Sequence, residues 1–425
     1  PLKTEVEYSS RNLKVYCWEK SKIILKSAHV KDEPLISDKN KQTMGEYIIA
    51  NYFIDSLRSR ALSGNYIGPR ILITGSPYSG EKEFCHTLLN YSLKLGYTPI
   101  FCDLDLENEI SVPGAISAAL VDDLVPNDFL FDNGITFFTG TTSSKRNENM
   151  NWSLYEMQLI ELGNICINKL EQNLTDWKKK MNITSENNEN KISYISPSKP
   201  TLFSSGLIVN CPMIENDEQG KNIYKTIIDK YKITAIYVID NEKLKNAFKN
   251  IINNRNDIEL SLISRLTGND SDKNEDIRRQ KKITKYFKGP FNNFGLKQIK
   301  LDMNSYKFMR IIPSDISSSM VPIGSTADLK MVFKIYTIKD EEELLKKLVC
   351  FVYLDEKDIK ELDKEFDKDT NHYVEKFAKA TVSYFGFITL VDKENNKITI
   401  CCPFDEPQHK YILIGNIKYD NNKLI

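Results

Sequence analysis

No excess of either charge marks this chain: lysine plus arginine and aspartate plus glutamate both number 58 among 425 residues, a formal net charge of zero. No global field therefore draws it to nucleic acid or to a membrane surface, and any RNA contact has to come from a local basic patch. Long apolar runs are missing as well. No stretch approaches the roughly 18 residues of a membrane-spanning helix and no secretory leader opens the chain, which predicts a soluble intracellular protein with no membrane partner. The first residue is Pro1 rather than methionine, so part of a native N-terminus is expected to precede it.

Histidine is scarce. His29, His86, His372 and His409 stand far apart without an H-E-x-x-H or H-x-E pattern, which argues against a zinc hydrolase, and no metal-ligand set is predicted. The eight cysteines have no C-x-x-C spacing, and Cys85, Cys102 and Cys350 lie in or beside apolar runs. They read as small buried hydrophobes in a reducing compartment.

What the chain does have is the stretch Ile71-Leu72-Ile73-Thr74-Gly75-Ser76-Pro77-Tyr78-Ser79-Gly80-Glu81-Lys82-Glu83. An apolar run enters a glycine, four residues separate it from a second glycine, and an amphipathic stretch to Leu95 follows. Strand, tight loop and helix in that order form the frame of a phosphate-binding P-loop, with Gly75 through Glu83 as the candidate nucleotide-binding residues. The bland alternative is a tight βα turn. A working loop continues with a lysine that reaches the β and γ phosphates and a hydroxyl that holds Mg²⁺. Glu81, Lys82 and Glu83 stand there instead. Two unit charges about 4 Å apart interact by roughly 4 kcal/mol at an effective dielectric of about 20. A micromolar nucleotide is held by only about 8 kcal/mol. A triphosphate is therefore expected to bind weakly here unless Glu81 swings away and Lys82 takes over.

Around this loop the chain divides into three parts: a small β unit over 1–42, an α/β domain over 43–305 and a β-rich domain over 306–425. The first rests on the apolar–polar alternation of Leu13 to Trp18 and on Ile23-Ile24-Leu25. A helix is predicted from Met44 to Leu62, with Thr43 as N-cap and Glu46 completing a capping box. After the loop come a strand over 99–105, a turn at Val112-Pro113-Gly114, a strand over 135–142 and a long helix from Ser153 to Met181. Residues 182–199, rich in asparagine, lysine, glutamate and serine, read as a disordered insertion. Strands over 206–210 and 235–240 flank a helix near 223–231, and this alternation predicts a mostly parallel sheet covered by helices on both faces.

Asp105 closes the second strand where a magnesium-positioning or proton-accepting carboxylate sits in phosphoryl-transfer folds, and a turn-forming role fits it equally well. The charged segment over 276–289 carries Arg278, Arg279 and Lys282. It reads either as a lid over phosphates or as a solvated helix face.

Taken in order, Gly68-Pro69-Arg70-Ile71-Leu72-Ile73-Thr74-Gly75, Leu104-Asp105 with Ser111-Val112-Pro113-Gly114, Gly206-Leu207-Ile208-Val209-Asn210-Cys211-Pro212, Ile283-Thr284-Lys285-Tyr286-Phe287 and Phe385-Gly386-Phe387-Ile388 resemble one family along nearly the whole chain. It is that of the eukaryotic pre-mRNA cleavage complex II subunit, also described as a polynucleotide 5′-hydroxyl kinase. The resemblance implies a P-loop kinase-like sheet flanked by two β parts, and ATP with Mg²⁺ as cofactors. It further implies Asp105 as base or magnesium organiser, a clasp at Asn210, Cys211 and Pro212, and lid cations at Arg278, Arg279 and Lys282. Glu81 stands at the family's P-loop lysine position and Lys82 at its first hydroxyl position, and the clasp reads Pro212-Met213-Ile214 without its tryptophan. The resemblance therefore implies a kinase-deficient nuclear scaffold of 3′-end cleavage and polyadenylation. Its partners would be the other subunits of that complex, with RNA as a further candidate. The alternatives are an active RNA 5′-kinase in which Lys82 compensates, and an unrelated P-loop relative acting on small substrates.

Overall fold

The computed structural model describes residues 24, 40–64, 66–106, 114–123, 134–142, 150–186, 199–214, 217–253, 255–266, 275–289, 295–312, 333–335, 344–365, 374–403 and 409–419. The β unit expected over 1–42 lies outside the described residues but for Ile24 and the last three positions, as does 187–198 of the expected insertion.

Helix α1 (Lys41–Gly64) leads into β1 (Arg70–Gly75), α2 (Glu81–Lys94) and β2 (Ile100–Asp103). Strands β3 (Ala115–Leu120) and β4 (Gly134–Phe138) follow, then α3 (Trp152–Glu186), the single turn α4 (Leu202–Ser205), β5 (Leu207–Asn210), α5 (Glu218–Lys230), β6 (Ala235–Ile239), α6 (Glu242–Ile252) and β7 (Glu259–Ile263). The first sheet runs β4-β3-β2-β5-β1-β6-β7, with β2, β5, β1, β6 and β7 parallel and the two outermost strands beyond β2 antiparallel. A sheet buried on both faces needs strands apolar on both faces. In β1, Ile71 and Ile73 pack with α1 and α2 while Leu72 joins the core built with α3 and α5. The expected α/β sheet with helices on both sides is the one observed.

Local details differ. α1 begins at Lys41, so Thr43 is not a cap: its hydroxyl donates to the Arg265 carbonyl at 3.2 Å. Glu46 accepts from the Ser264 backbone N–H at 2.6 Å and hydroxyl at 2.7 Å, much closer than its contact with Gln42 Nε2 in its own first turn at 3.4 Å. A tertiary partner outcompeted the local one in both cases. Residues 182–186, expected in the insertion, extend α3. Strand β3 has no counterpart in the sequence reading, because Ala-Ile-Ser-Ala-Ala-Leu is poor in the β-branched and aromatic residues that mark strands. His86 is buried on α2 rather than at its surface. The seven described cysteines are all buried and unbridged.

Helix α7 (Glu275–Lys288) joins the two halves. The second sheet comprises β8 (Lys297–Asp302), β9 (Lys307–Ile311), β10 (Phe333–Ile335), β11 (Lys347–Tyr353), β12 (Thr381–Asp392), β13 (Lys397–Cys402) and β14 (Tyr411–Lys418) in the order β10-β9-β14-β11-β12-β13-β8. It therefore begins ahead of residue 306, where the sequence reading placed the change to short strands. Its pairs are antiparallel except β14 with β9.

A shared core seals the two sheets together. Ala115, Phe138 and Leu154 of the first half pack with Met309, Phe385, Phe387 and Ile417 of the second. At this seam the Asn416 N–H donates to the Gly140 carbonyl at 2.7 Å. A Cβ added at Gly415 would stand 2.6 Å from the Gly140 Cα, so two backbones meet where no side chain fits.

Candidate functional site

The loop from Ser76 to Gly80 leaves the carboxyl end of β1, between β5 and β6. Here the connections of the parallel sheet diverge: β1 crosses to β2 on one side and β5 to β6 on the other. Ligands of doubly wound sheets bind at such switch points. The loop is short because Gly80 takes φ 109°, a left-handed conformation that lets α2 start at Glu81. Tyr78 also has a positive φ, 63°, and its ring is partly exposed at the loop tip.

Hydrogen bonds tie the loop to its surroundings. The Ser76 N–H donates to the Ile239 carbonyl at 3.1 Å and its hydroxyl to the Asp240 carbonyl at 3.1 Å. The Leu266 N–H donates to the Ser79 carbonyl at 3.0 Å, and the Tyr47 hydroxyl to the Gly80 carbonyl at 3.4 Å. The tip of α1 and the strap Ser264-Arg265-Leu266 thus hold the loop through Tyr47, Glu46 and Thr43. The sequence offers Thr43 and Glu46 only as a capping box of α1, and no local signal ties either of them, or Tyr47, to the loop.

Inside this frame the Glu81 side chain folds back over the loop. Its carboxylate accepts from the Gly80 N–H and from the Ser79 hydroxyl, each at 3.1 Å. Burial pushes this carboxyl up to about 7. Hydrogen bonds from its own backbone N–H and from Ser79 pull it down, and the Asp105 and Glu83 carboxylates push it up further. Asp105 thus acts on the Glu81 carboxyl as a like charge. Lys82 is half-buried one residue on, roughly 100° further round the helix, and so projects in another direction than Glu81.

Asp105 is half-buried in the turn after β2, and its N–H donates to Asp103 Oδ1 at 3.2 Å. Asn210 Nδ2 donates to the same oxygen at 3.0 Å. Asp103, fully buried at the strand end, is a member of the site that the sequence reading passed over, although its place two residues before Asp105 was a usable signal.

The three clasp positions are buried and brace the sheet. Cys211 donates its N–H to the Ile73 carbonyl at 2.9 Å, and the Pro212 carbonyl accepts from the Thr74 hydroxyl at 3.4 Å. Only the neighbouring Met213 reaches solvent. Of the lid cations, the side chains of Arg278 and Lys282 lie outside the described residues, and Arg279 is half-buried. The second half of α7 is fixed in the inter-sheet core: Ile283 and Phe287 are buried, and the Phe287 ring lies 5.0 Å from that of Phe387. Among the described residues no group of three or more His, Cys, Asp or Glu is placed to hold a metal ion, and no helix is long and apolar enough to cross a membrane.

These residues do not fit Mg·ATP. The ammonium position carries a carboxylate, the hydroxyl position an ammonium, and two donors that would face a phosphate are taken by Glu81.

The raised carboxyl has a measurable consequence. In the folded chain Glu81 keeps its proton up to about 7, against 4.5 as an ordinary glutamate. Between these values the folded state binds more protons than the unfolded one, so raising the pH through that window lowers stability. Relative to Glu81→Gln, the unfolding free energy of the unaltered chain is expected to fall by up to about 3 kcal/mol from pH 4.5 to 8, read by urea titration. Parallel pH curves for the two would rule the buried carboxyl out.

Residues 75–185 and 178–289 match the family model described as mRNA cleavage and polyadenylation factor CLP1 P-loop, and residues 297–421 match pre-mRNA cleavage complex II protein Clp1. A protein of Anopheles gambiae named Protein CLP1 homolog is 21% identical over 393 residues, covering 91% of this chain and 81% of that protein. The polyribonucleotide 5′-hydroxyl-kinase Clp1 of Xenopus tropicalis is 21% identical over 374 residues, covering 87% and 74%. Among solved structures, the wild-type Clp1p–Pcf11p complex contains a chain that superposes with a TM-score of 0.65 at 19% identity, covering 88% of this chain and 79% of that one. That likeness establishes the fold.

Proposed function

This chain belongs to the Clp1 family of mRNA cleavage and polyadenylation factors, and from that membership we propose that it is a kinase-deficient scaffold subunit of the pre-mRNA 3′-end processing machinery, acting in the nucleus. The observation that carries the loss of activity is the Glu81 carboxylate, which stands at the family's lysine position and holds the Gly80 N–H and the Ser79 hydroxyl at 3.1 Å each. Phosphoryl transfer depends on positioning and on neutralising charge as it moves between oxygens. A carboxylate at the position of the phosphate-binding ammonium opposes both the nucleotide and its transition state. Nucleotide binding, where it persists, is weak and independent of Mg²⁺.

The scaffold half of the proposal draws on what surrounds the loop. Among the described residues both sheets and the core that joins them are in place around a loop that does not fit Mg·ATP, which supports a role for the surface rather than for the loop. The partners are other subunits of the cleavage machinery, by analogy with the Pcf11p bound in the Clp1p complex. RNA contacts, if made, come from local basic patches, since the chain has no net charge.

Incubation with labelled ATP, Mg²⁺ and a 5′-hydroxyl oligoribonucleotide tests the first half. No transfer is expected, and transfer that disappears in Asp105→Ala would overturn it. For the second half, affinity purification of the tagged full chain from nuclear extract is expected to recover other 3′-end processing subunits. Recovery of none of them sinks the scaffold assignment.

A further inference from the structure

A P-loop is a ring of inward-facing backbone N–H groups at the positive end of a helix, and such a ring favours an anion at its centre. Here the anion comes from the chain itself. Glu81, the first residue of α2, turns its carboxylate against the direction of its helix to meet Gly80 N–H and Ser79 Oγ–H at 3.1 Å each. Ser79 is fully buried, and its hydroxyl lies closer to the Glu81 carboxylate, at 3.1 Å, than to its other acceptor, the Ile239 carbonyl, at 3.5 Å. Two other loop N–H groups are already engaged within the protein, Ser76 with the Ile239 carbonyl at 3.1 Å and Ser79 with the Ser76 carbonyl at 3.2 Å, while the Gly80 N–H meets the Glu81 carboxylate. Charged or protonated, the carboxyl fills the space in which a phosphate oxygen would have to lie.

We propose that Glu81 is a built-in plug of the P-loop: its carboxyl takes the place of a bound phosphate, satisfies the loop's inward donors and excludes polyphosphates from the cradle. The proposal deepens the kinase-deficient reading and rests on it, since both treat this loop as a lost nucleotide site. It goes beyond missing cations. A loop that had merely lost its lysine would still offer bare amides to an anion, whereas a plugged loop offers none until Glu81 leaves. Departure is opposed by the two hydrogen bonds and favoured by the nearby Asp105 and Glu83 carboxylates, so the plug holds by fit to the donors rather than by an attracting charge.

The probe is sodium tripolyphosphate without Mg²⁺, titrated calorimetrically at pH 8 into the full chain and into Glu81→Gln, Glu81→Ala and Glu83→Gln. The pH lies above the Glu81 midpoint, so the plug is charged. Glu81→Ala, which empties the cradle, is expected to bind at least tenfold tighter than Glu81→Gln, which removes the charge but still fills the space, and Glu83→Gln is expected to gain no more than Glu81→Gln. Glu81→Ser, which also empties the cradle, replaces the alanine variant if that one does not fold. Equal affinity in the emptied and the glutamine variants overturns the plug, since any gain would then be one of charge alone. RNA phosphorylation by the unaltered chain would instead sink the functional reading while these titrations still judged the plug.

Discussion

Changing Glu81 to lysine together with Lys82 to serine is expected to tighten Mg·ATP binding by roughly a hundredfold or more over the unaltered chain. The double change removes a carboxylate that repels the phosphates and supplies the ammonium and the hydroxyl that the loop frame is spaced for. At about 4 Å and an effective dielectric of about 20, each such charge contact is worth roughly 4 kcal/mol, or close to a thousandfold. Part of that is offset, because Asp105, whose charge acts on the Glu81 carboxyl, would also attract the new ammonium. Isothermal titration of both proteins reads the difference directly. Submicromolar binding by the unaltered chain would mean that the loop cradles phosphates in spite of Glu81. Absence of any gain in the double variant would mean that the loss extends past these two positions, to the clasp where Met213 stands.

A loss of about 3–5 kcal/mol is expected for Phe287→Ala, from the usual cost of emptying a buried phenylalanine site. Phe287 is fully buried, 5.0 Å from the Phe387 ring and 5.1 Å from that of Tyr286. Tyr286 in turn lies 5.5 Å from Phe385 and accepts the Phe385 N–H at 3.0 Å, and Thr284 bonds the Tyr419 hydroxyl at 2.9 Å. Cutting this cluster separates α7 from the second sheet at the point where both sheets share one core. Equilibrium denaturation of the variant is expected to show the full loss. A change below about 1 kcal/mol would mean that α7 is only loosely attached and free to act as the lid its basic residues suggested.

That contrast marks the limit of what local sequence conveyed. The charge-rich stretch over 276–289 allowed a lid or a solvated face, and the residues that decide its place are the apolar ones between the charges. Ile283 and Phe287 face the second sheet, whose strands come from 297 onward and could not be aligned with them from sequence. The clasp positions show the same limit. Asn210, Cys211 and Pro212 are named by resemblance alone, and the bonds they make to Asp103, Ile73 and Thr74 run to neighbouring strands that spacing along the chain does not bring together.

Sequence alone determined the helix-and-strand alternation around β1, because runs such as Ile71-Leu72-Ile73 and Leu207-Ile208-Val209 are apolar on both faces and must be buried on both. It also determined the identity of the loop, since Gly75 and Gly80 at their spacing with a following amphipathic helix leave few other readings, and it determined which charges stand at 81 and 82. Only the tertiary structure decided where those charges point. Glu81 turned inward because Ser79 and Gly80 offered donors that a left-handed turn, braced by α1 and the strap after β7, aimed at a single spot. Spacing fixes which residues are near one another along the chain, but the partner that satisfies a buried polar group is chosen by packing, and most of those partners lie far away in sequence.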